Sequence, residues 1–342
     1  MSIDVSLVGT SLGTVQRTWN GDSAMLYALG VGAGAGLGDR ELAYTTENSA
    51  GVPQQVLPSF ATVLGFPAVA LLDQGGTSSP GVSGGIATRG GPSIFGEYPV
   101  STVLHARHEL TLHRPLPVAG AGDVSAVVTA VHDTGAHALV TITTELRAAE
   151  PAAGWPGSPE LSGPKAAGPI PGSTTPGSPE QGALLATNRA TFLVRGAGGF
   201  GGPRPEPTRW HAPDREPDDA VDHPTSTTQG LLYRLSGDRN ALHSDPRAAR
   251  KAGFDRPILH GLCTYGFAAR ALIQSVCHGD ATEFGTMTAR FTSPVFPGDN
   301  LSFRIWDDGD TVHFQGLVSS RMVLDQGSFT RRPNVNKGVT ND

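Results

Sequence analysis

The stretch Pro257-Ile-Leu-His-Gly-Leu-Cys-Thr-Tyr-Gly-Phe-Ala-Ala-Arg-Ala-Leu-Ile-Gln-Ser-Val276 decides the fold. Its apolar residues Ile258, Leu259, Leu262, Phe267, Ala268, Ala271, Leu272 and Val276 run nearly all the way round a helical wheel. Such a helix has no face to give to water, so it must be wrapped by a sheet. Pro257 suits a first helical turn, where its missing N–H is not needed, and this predicts a helix over 257–276. Working outward, a short helix fits 227–235 and alternating runs predict antiparallel strands at 286–291, 300–306, 311–319 and 322–330.

The first half repeats that order. Helices fit 22–32 and 58–72, followed by strands at 105–112, 123–132, 137–148 and 184–195. Glu109-Leu-Thr-Leu-His-Arg-Pro-Leu-Pro-Val-Ala-Gly120 resembles Ala289-Arg-Phe-Thr-Ser-Pro-Val-Phe-Pro-Gly298. In both, a strand runs into prolines and a glycine before the next strand begins, as expected of a duplication.

At 342 residues the chain is too long for one compact core, and two domains are expected. The N-terminal half spans 1–202. Within it, 151–182 is so rich in Pro and Gly that it reads as a disordered insertion. A crossing follows at 203–226, then a second half at 227–333 and a flexible tail at 334–342. A net charge of −6 without a basic run excludes binding to phosphate backbones and to anionic membrane surfaces. No apolar run is long enough to span a bilayer, and the first residues lack the pattern of a signal peptide. Cys263 and Cys277 form neither a disulfide framework nor a metal spacing. The expectation is a soluble, cytoplasmic, metal-free protein.

The sharpest chemical signal is Tyr233-Arg-Leu-Ser-Gly-Asp-Arg-Asn-Ala-Leu-His243, just before the buried helix. It places Asp238, Asn240 and His243 in one loop between two helices. A carboxylate and an imidazole so placed can hold and deprotonate a water, and Asn240 can orient either group or bond a substrate. The backbone N–H groups near Gly261 are unpaired donors at the positive end of a helix, suited to an oxygen that gathers negative charge. A plainer reading stays open on these residues alone. Gly-Asp is a common turn closed by an Asx hydrogen bond. His243 would then be structural, His260 and Gly261 a tightly packed helix start, and Tyr233 ordinary core.

Together with Met25-Leu-Tyr-Ala-Leu-Gly-Val-Gly-Ala33, Leu57-Pro-Ser-Phe60, Gly198-Gly-Phe-Gly-Gly202 and Ala252-Gly-Phe-Asp-Arg-Pro-Ile-Leu-His-Gly-Leu-Cys-Thr-Tyr-Gly-Phe267, the loop resembles the hydratase 2 family. These are the (R)-specific enoyl-CoA hydratases of the MaoC-like group, among them the hydratase unit of peroxisomal multifunctional enzyme type 2. The resemblance covers most of the chain outside 151–182, much of 73–100 and the tail after 331. It implies an α+β double hot-dog fold, with two long helices each wrapped by an antiparallel sheet. It also implies reversible syn addition of water to a trans-2-enoyl-CoA, giving the (3R)-hydroxyacyl-CoA.

By the same resemblance Asp238 and His243 activate the water, Asn240 positions it or Asp238, and the Gly261 amide holds the thioester oxygen. Tyr233, His260 and Gly261 border the substrate. Glu47 matches a glutamate that the family associates with activity. The N-terminal half holds the acyl chain, with 75–91 covering or widening that site. No cofactor is implied beyond the CoA of the substrate. An acyl carrier protein is an alternative carrier, and a homodimer is expected. One departure is Ala241, where the family commonly has Pro; Ala can take the same φ, so intact chemistry is expected.

Three alternatives stand beside this reading. One is a biosynthetic 3-hydroxyacyl thioester dehydratase. Another is a non-catalytic acyl-CoA binding protein, which predicts loss of Asp238 or His243. The third is a hot-dog thioesterase, which would carry its catalytic acid on the helix rather than in the loop.

Overall fold

Alternation of polar and apolar residues assigns each strand its two faces. In β2 (Val103–Leu112), His108, Leu110 and Leu112 are buried while Arg107, Glu109 and Thr111 turn to the other face. The computed structural model describes residues 3–36, 38–65, 95, 98, 102–150 and 179–332. The stretches 75–91, 151–178 and 334–342, read above as a site cover, most of an insertion and a tail, lie outside the described residues.

The other strands are β1 (Ser11–Trp19), β3 (Gly120–Asp133), β4 (His137–Ala149), β5 (Leu184–Arg195), β6 (Asp219–Pro224), β7 (Phe284–Phe291), β8 (Asn300–Asp307), β9 (Val312–Val318) and β10 (Arg321–Arg331). They form one antiparallel sheet in the order β1-β3-β4-β5-β2-β7-β10-β9-β8-β6. From the β2/β7 seam outward, the first half runs β2-β5-β4-β3-β1 and the second β7-β10-β9-β8-β6. Each strand therefore has its counterpart five strands later in the chain, and the duplication read from two short motifs holds for the whole topology. At the seam Arg107 faces Arg290, Glu109 faces Thr288 and Thr111 faces Thr286.

The helices are α1 (Gly21–Gly30), α2 (Leu42–Thr45), α3 (Phe60–Leu64), α4 (Gln229–Tyr233), α5 (Pro246–Lys251) and α6 (Gly261–Ser275). Every residue of α6 from Leu262 to Ile273 is buried, as its apolar circumference requires. The fold is the α+β double hot-dog expected from the sequence. Three details differ. First, α6 begins at Gly261, not at Pro257. The Leu259 N–H is spent on the Val295 carbonyl at 2.7 Å, which holds 257–260 extended, and His260 becomes the N-cap. Second, β1 was not read as a strand. Third, β6 lies inside the stretch 203–226 read as a crossing, yet it pairs with β8 at the edge of the second half's sheet. Within the range 58–72 read as a helix, the described residues form α3, with Ser59 and Gly65 as its caps, and 66–72 lie outside the described residues.

Polar side chains anchor α3 to the sheet. Asn188 Nδ2 donates to the Ala61 carbonyl at 3.2 Å and Thr144 Oγ1 to that of Gly65 at 2.7 Å. His108 Nε2 meets Asn188 Oδ1 at 3.1 Å, with its ring edge-on to Tyr265. Burial pushes the His108 imidazole down to about 4, opposed by the Asn188 bond. An unfolded histidine titrates near 6.5, so in acid the unfolded chain takes up a proton that the native chain refuses. This contribution is complete above 6.5, shrinks as the pH falls from there to about 4, and is on the order of 3 kcal/mol. We expect urea unfolding to show stability falling through that window, and His108→Gln to flatten the slope. An unchanged slope would count against a buried neutral imidazole.

Candidate active site

Gly237 starts the loop. Its φ of 137° lies in the left-handed region, where a side chain would be strained, and it turns the chain from the end of α4 into Asp238. The Asn240 N–H donates to Asp238 Oδ1 at 3.0 Å, fixing the carboxylate. The Asn240 side chain then caps the short 3-10 turn Ala241–His243 through its Oδ1, which accepts the Leu242 N–H at 3.0 Å. Thus the asparagine backbone positions Asp238, while its side chain sets the turn that carries His243.

His243 Nδ1 lies 3.0 Å from the Ile258 carbonyl oxygen. A carbonyl can only accept, so Nδ1 bears the hydrogen and Nε2 keeps its lone pair. His260 is fixed the other way round, its Nε2–H donating to the Asp238 backbone carbonyl at 3.2 Å. The two imidazoles stack with centroids 3.8 Å apart. Asp238, His243 and His260 each offer a ligand-type atom within 4.8 Å of the others. Asp238 and His243 are half-buried, so a water can reach both. Burial holds His243 below the ordinary histidine range, while Asp238 and the Ile258 carbonyl pull it back up. Burial, with His243 alongside, pushes His260 well below that range.

This trio is the one metal-capable cluster among the described residues. One nitrogen of each ring is already spent on a carbonyl. The other two belong to rings stacked 3.8 Å apart and tilted by only 28°, so one ion cannot lie in both ring planes at bonding distance. The arrangement suits acid–base chemistry better than coordination.

Gly261 follows directly as the first residue of α6, half-buried, and its N–H has no acceptor among the described residues. A Cβ there would meet the Phe291 ring at 3.3 Å, so glycine also suits the packing. Tyr233 is buried, its ring 4.9 Å from His260 and 6.1 Å from Tyr27, which in turn lies 5.4 Å from Phe60. These rings lead from the loop into the first half. His260, expected at the substrate surface, is 1% exposed and lies behind the loop, between His243 and Tyr233.

Glu47 is exposed after α2 and makes no hydrogen bond or ion pair among the described residues. Six residues earlier Glu41 is buried, and its carboxylate grips Arg270 of α6: Nε–Oε1 at 2.7 Å and Nη2–Oε2 at 2.8 Å. Sequence reading passed over that pair, although a lone Arg inside an apolar helix signals a buried partner. Phe291, Ile258 and Glu41 carried no motif of their own. A cavity of about 440 Å³ beside Arg40, Tyr44, Arg270 and Gln274 shares no lining residue with the loop. It sits nine to thirteen residues along α6 from Gly261, roughly 14 to 20 Å away. In the first half, the glycine-rich turn after α1, 32–36, offers neither acid nor imidazole.

Comparison with known proteins follows the same division. Residues 18–152 match the MFE-2 hydratase 2 N-terminal domain and 209–326 the MaoC like domain. The 3-hydroxyacyl-thioester dehydratase Y of Mycobacterium tuberculosis is 38% identical over 337 residues, covering 96% of this chain and 98% of the relative. The peroxisomal enoyl-CoA hydratase 2 of Arabidopsis thaliana is 33% identical, covering 92% and 90%. The crystal structure of a MaoC-like dehydratase from Phytophthora capsici superposes with a TM-score of 0.73 at 27% identity, covering 97% of this chain and 98% of that one.

Proposed function

This chain belongs to the MaoC-like hydratase 2 family, and from that premise we propose that it is an (R)-specific enoyl-CoA hydratase. It is a hydro-lyase that adds water reversibly to a trans-2-enoyl-CoA, giving the (3R)-hydroxyacyl-CoA. The observation that carries the reading is Asp238 and His243 held within 4.8 Å of each other on one loop, next to the open first turn of α6.

Water bound between the Asp238 carboxylate and His243 Nε2 loses a proton to this pair as its oxygen bonds to C3. The alkene electrons move toward the thioester, whose oxygen gathers charge against the Gly261 N–H. A proton returned from the same pair to C2 then completes addition on one face. Asn240 keeps Asp238 and the His243 turn in place. Gly261 borders the acyl thioester, Tyr233, 1% exposed like His260, backs the site from the core, and the ring path through Tyr27 favours the first half as the acyl site. Glu47 is retained as a contributor from that half. The thioester itself acidifies the α-carbon, so the proposal needs no metal or redox cofactor. It extends to a cytoplasmic homodimer. No helix of the described residues is long and apolar enough to cross a membrane. The relative named as a dehydratase favours a second reading in one respect, the direction of flux, with CoA or an acyl carrier protein as the carrier.

The test follows loss of the conjugated thioester of crotonyl-CoA and longer enoyl-CoAs, with chiral analysis of the product and a thiol assay alongside. Formation of the 3R alcohol without thiol release is expected. The 3S alcohol, free thiol or mere binding would each reject the proposal. His243 must be neutral to act as base, and its pKa lies below the ordinary 6.5. We therefore expect kcat/KM to stay level through 6.5 and to fall only at lower pH, and His243→Ala to lose roughly 10²- to 10³-fold. An acid limb above 6.5 would contradict that assignment.

A further inference from the structure

His260 combines features that a plain core histidine lacks. It is 1% exposed at the N-cap of α6, yet its side chain caps no N–H of that helix. Its Nε2–H instead crosses 22 residues back along the chain to the backbone carbonyl of Asp238, at 3.2 Å. Its ring is pressed against His243 on one side, with centroids 3.8 Å apart, and against Tyr233 on the other, at 4.9 Å. Its Nδ1 is buried without a partner. One side chain thus touches both groups of the proposed acid–base pair, Asp238 by hydrogen bond and His243 by stacking, and it stands on the residue before Gly261.

We propose that His260 is a positioning residue for the reaction, fixing the Asp238 backbone through its N–H and the His243 ring through its face, and so setting both against the first turn of α6. The inference rests on the hydratase reading above. Three consequences follow from the contacts. The donor to the Asp238 carbonyl fixes where the carboxylate stands, so losing it misplaces the base and lowers kcat; a misplacement of about 1 Å costs on the order of 10²-fold. The stacked ring keeps water off one face of His243, so losing it lets the imidazole charge more easily. Substrate binding is little affected, because His260 sits behind the loop. The charged and titratable groups facing these rings are Asp238 and Arg234 on the loop and the end of α4, Tyr233 on α4, and the two imidazoles themselves. Among them only Asp238 bears a negative charge that would favour a protonated His243.

Two substitutions separate the two contacts. His260→Phe keeps a ring and loses the donor. His260→Gln keeps an N–H at the same reach and loses the ring. Each is measured for kcat and KM on crotonyl-CoA across pH, with circular dichroism and thermal unfolding, beside the parent and Asp238→Asn. We expect His260→Phe to lose roughly 10²-fold in kcat with KM within about threefold. We expect His260→Gln to recover most of kcat and to move the acid limb of kcat/KM to higher pH.

A His260→Phe protein with parental kcat overturns the proposal, as does a KM rise with kcat preserved, which would make His260 a substrate contact. So does a lowered unfolding temperature with both kcat and the acid limb unchanged, which would make it structural only. If His260→Phe does not fold, His260→Gln decides: an acid limb in the parental place rejects the proposal. An active Asp238→Asn would sink the hydratase reading itself. An inactive Asp238→Asn with normal His260 variants would sink only this inference.

Discussion

Asp238→Asn yields a folded protein that no longer hydrates enoyl-CoA. Asn keeps an oxygen for the Asn240 N–H, which now reaches Asp238 Oδ1 at 3.0 Å, so the loop keeps its shape. The His260 donor reaches the backbone carbonyl, which the substitution leaves untouched. What disappears is the negative charge and the proton acceptor beside His243. General acid–base groups contribute about 10²- to 10⁴-fold. In the proposed mechanism Asp238 would also stabilise the imidazolium formed as water is deprotonated, which places the loss at the upper end, roughly 10³- to 10⁴-fold in kcat. The thermal midpoint is expected to stay at the parental value. A variant that kept more than about a tenth of the parental rate would show that the carboxylate is not the base.

Glu41→Ala is expected to have the largest effect on stability. Arg270 is 2% exposed, and its guanidinium spends Nε and Nη2 on Glu41 and Nη1 on the Val31 carbonyl at 2.8 Å. Glu41 also accepts the Gly34 N–H at 2.6 Å. Removing the carboxylate strands a buried cation, which costs about 3–5 kcal/mol and lowers Tm by on the order of 10 °C. Replacing both partners with apolar residues, Glu41→Leu with Arg270→Met, should recover much of that loss, because no unpaired charge remains. Differential scanning calorimetry distinguishes the two variants. If Glu41→Ala melted with the parent, the pair would contribute nothing net. Since the pair lies at the other end of α6 from the loop, kcat below the melting temperature should barely change.

The sequence was most informative where periodicity and burial coincide. All eight strands read from alternation are present, several to within a residue; β2, β4 and β5 owe this to one face on the core and a more open other face, while β7 and β9 are buried on both faces over most of their length. β1 and β6 escaped because they are the two sheet edges. β1 has exposed or half-buried residues over most of its length, and β6 has only six residues with two buried. The helix start was misplaced because Pro257 carries a generic signal, whereas the Leu259–Val295 hydrogen bond that overrides it is tertiary. At the site, the spacing from Asp238 to His243 put the two side chains on one loop within 4.8 Å of each other. The tautomer of His243 depends on the Ile258 carbonyl, and no residue type announces that. Glu41 and Glu47 lie on neighbouring turns of sequence with opposite burial, a distinction that only the folded chain makes.

The β2/β7 seam also bears on how the molecule can be taken apart. Arg107–Thr111 and Thr286–Arg290 are joined rung by rung, so the two repeats share one ladder with no hinge between them. Calorimetry should accordingly record a single melting event. Excising either repeat would leave a bare strand with unsatisfied backbone donors, ready to recruit any other strand it met. The chain is therefore duplicated in plan but indivisible in practice, and a fragment carrying only the Asp238 loop should clump rather than fold.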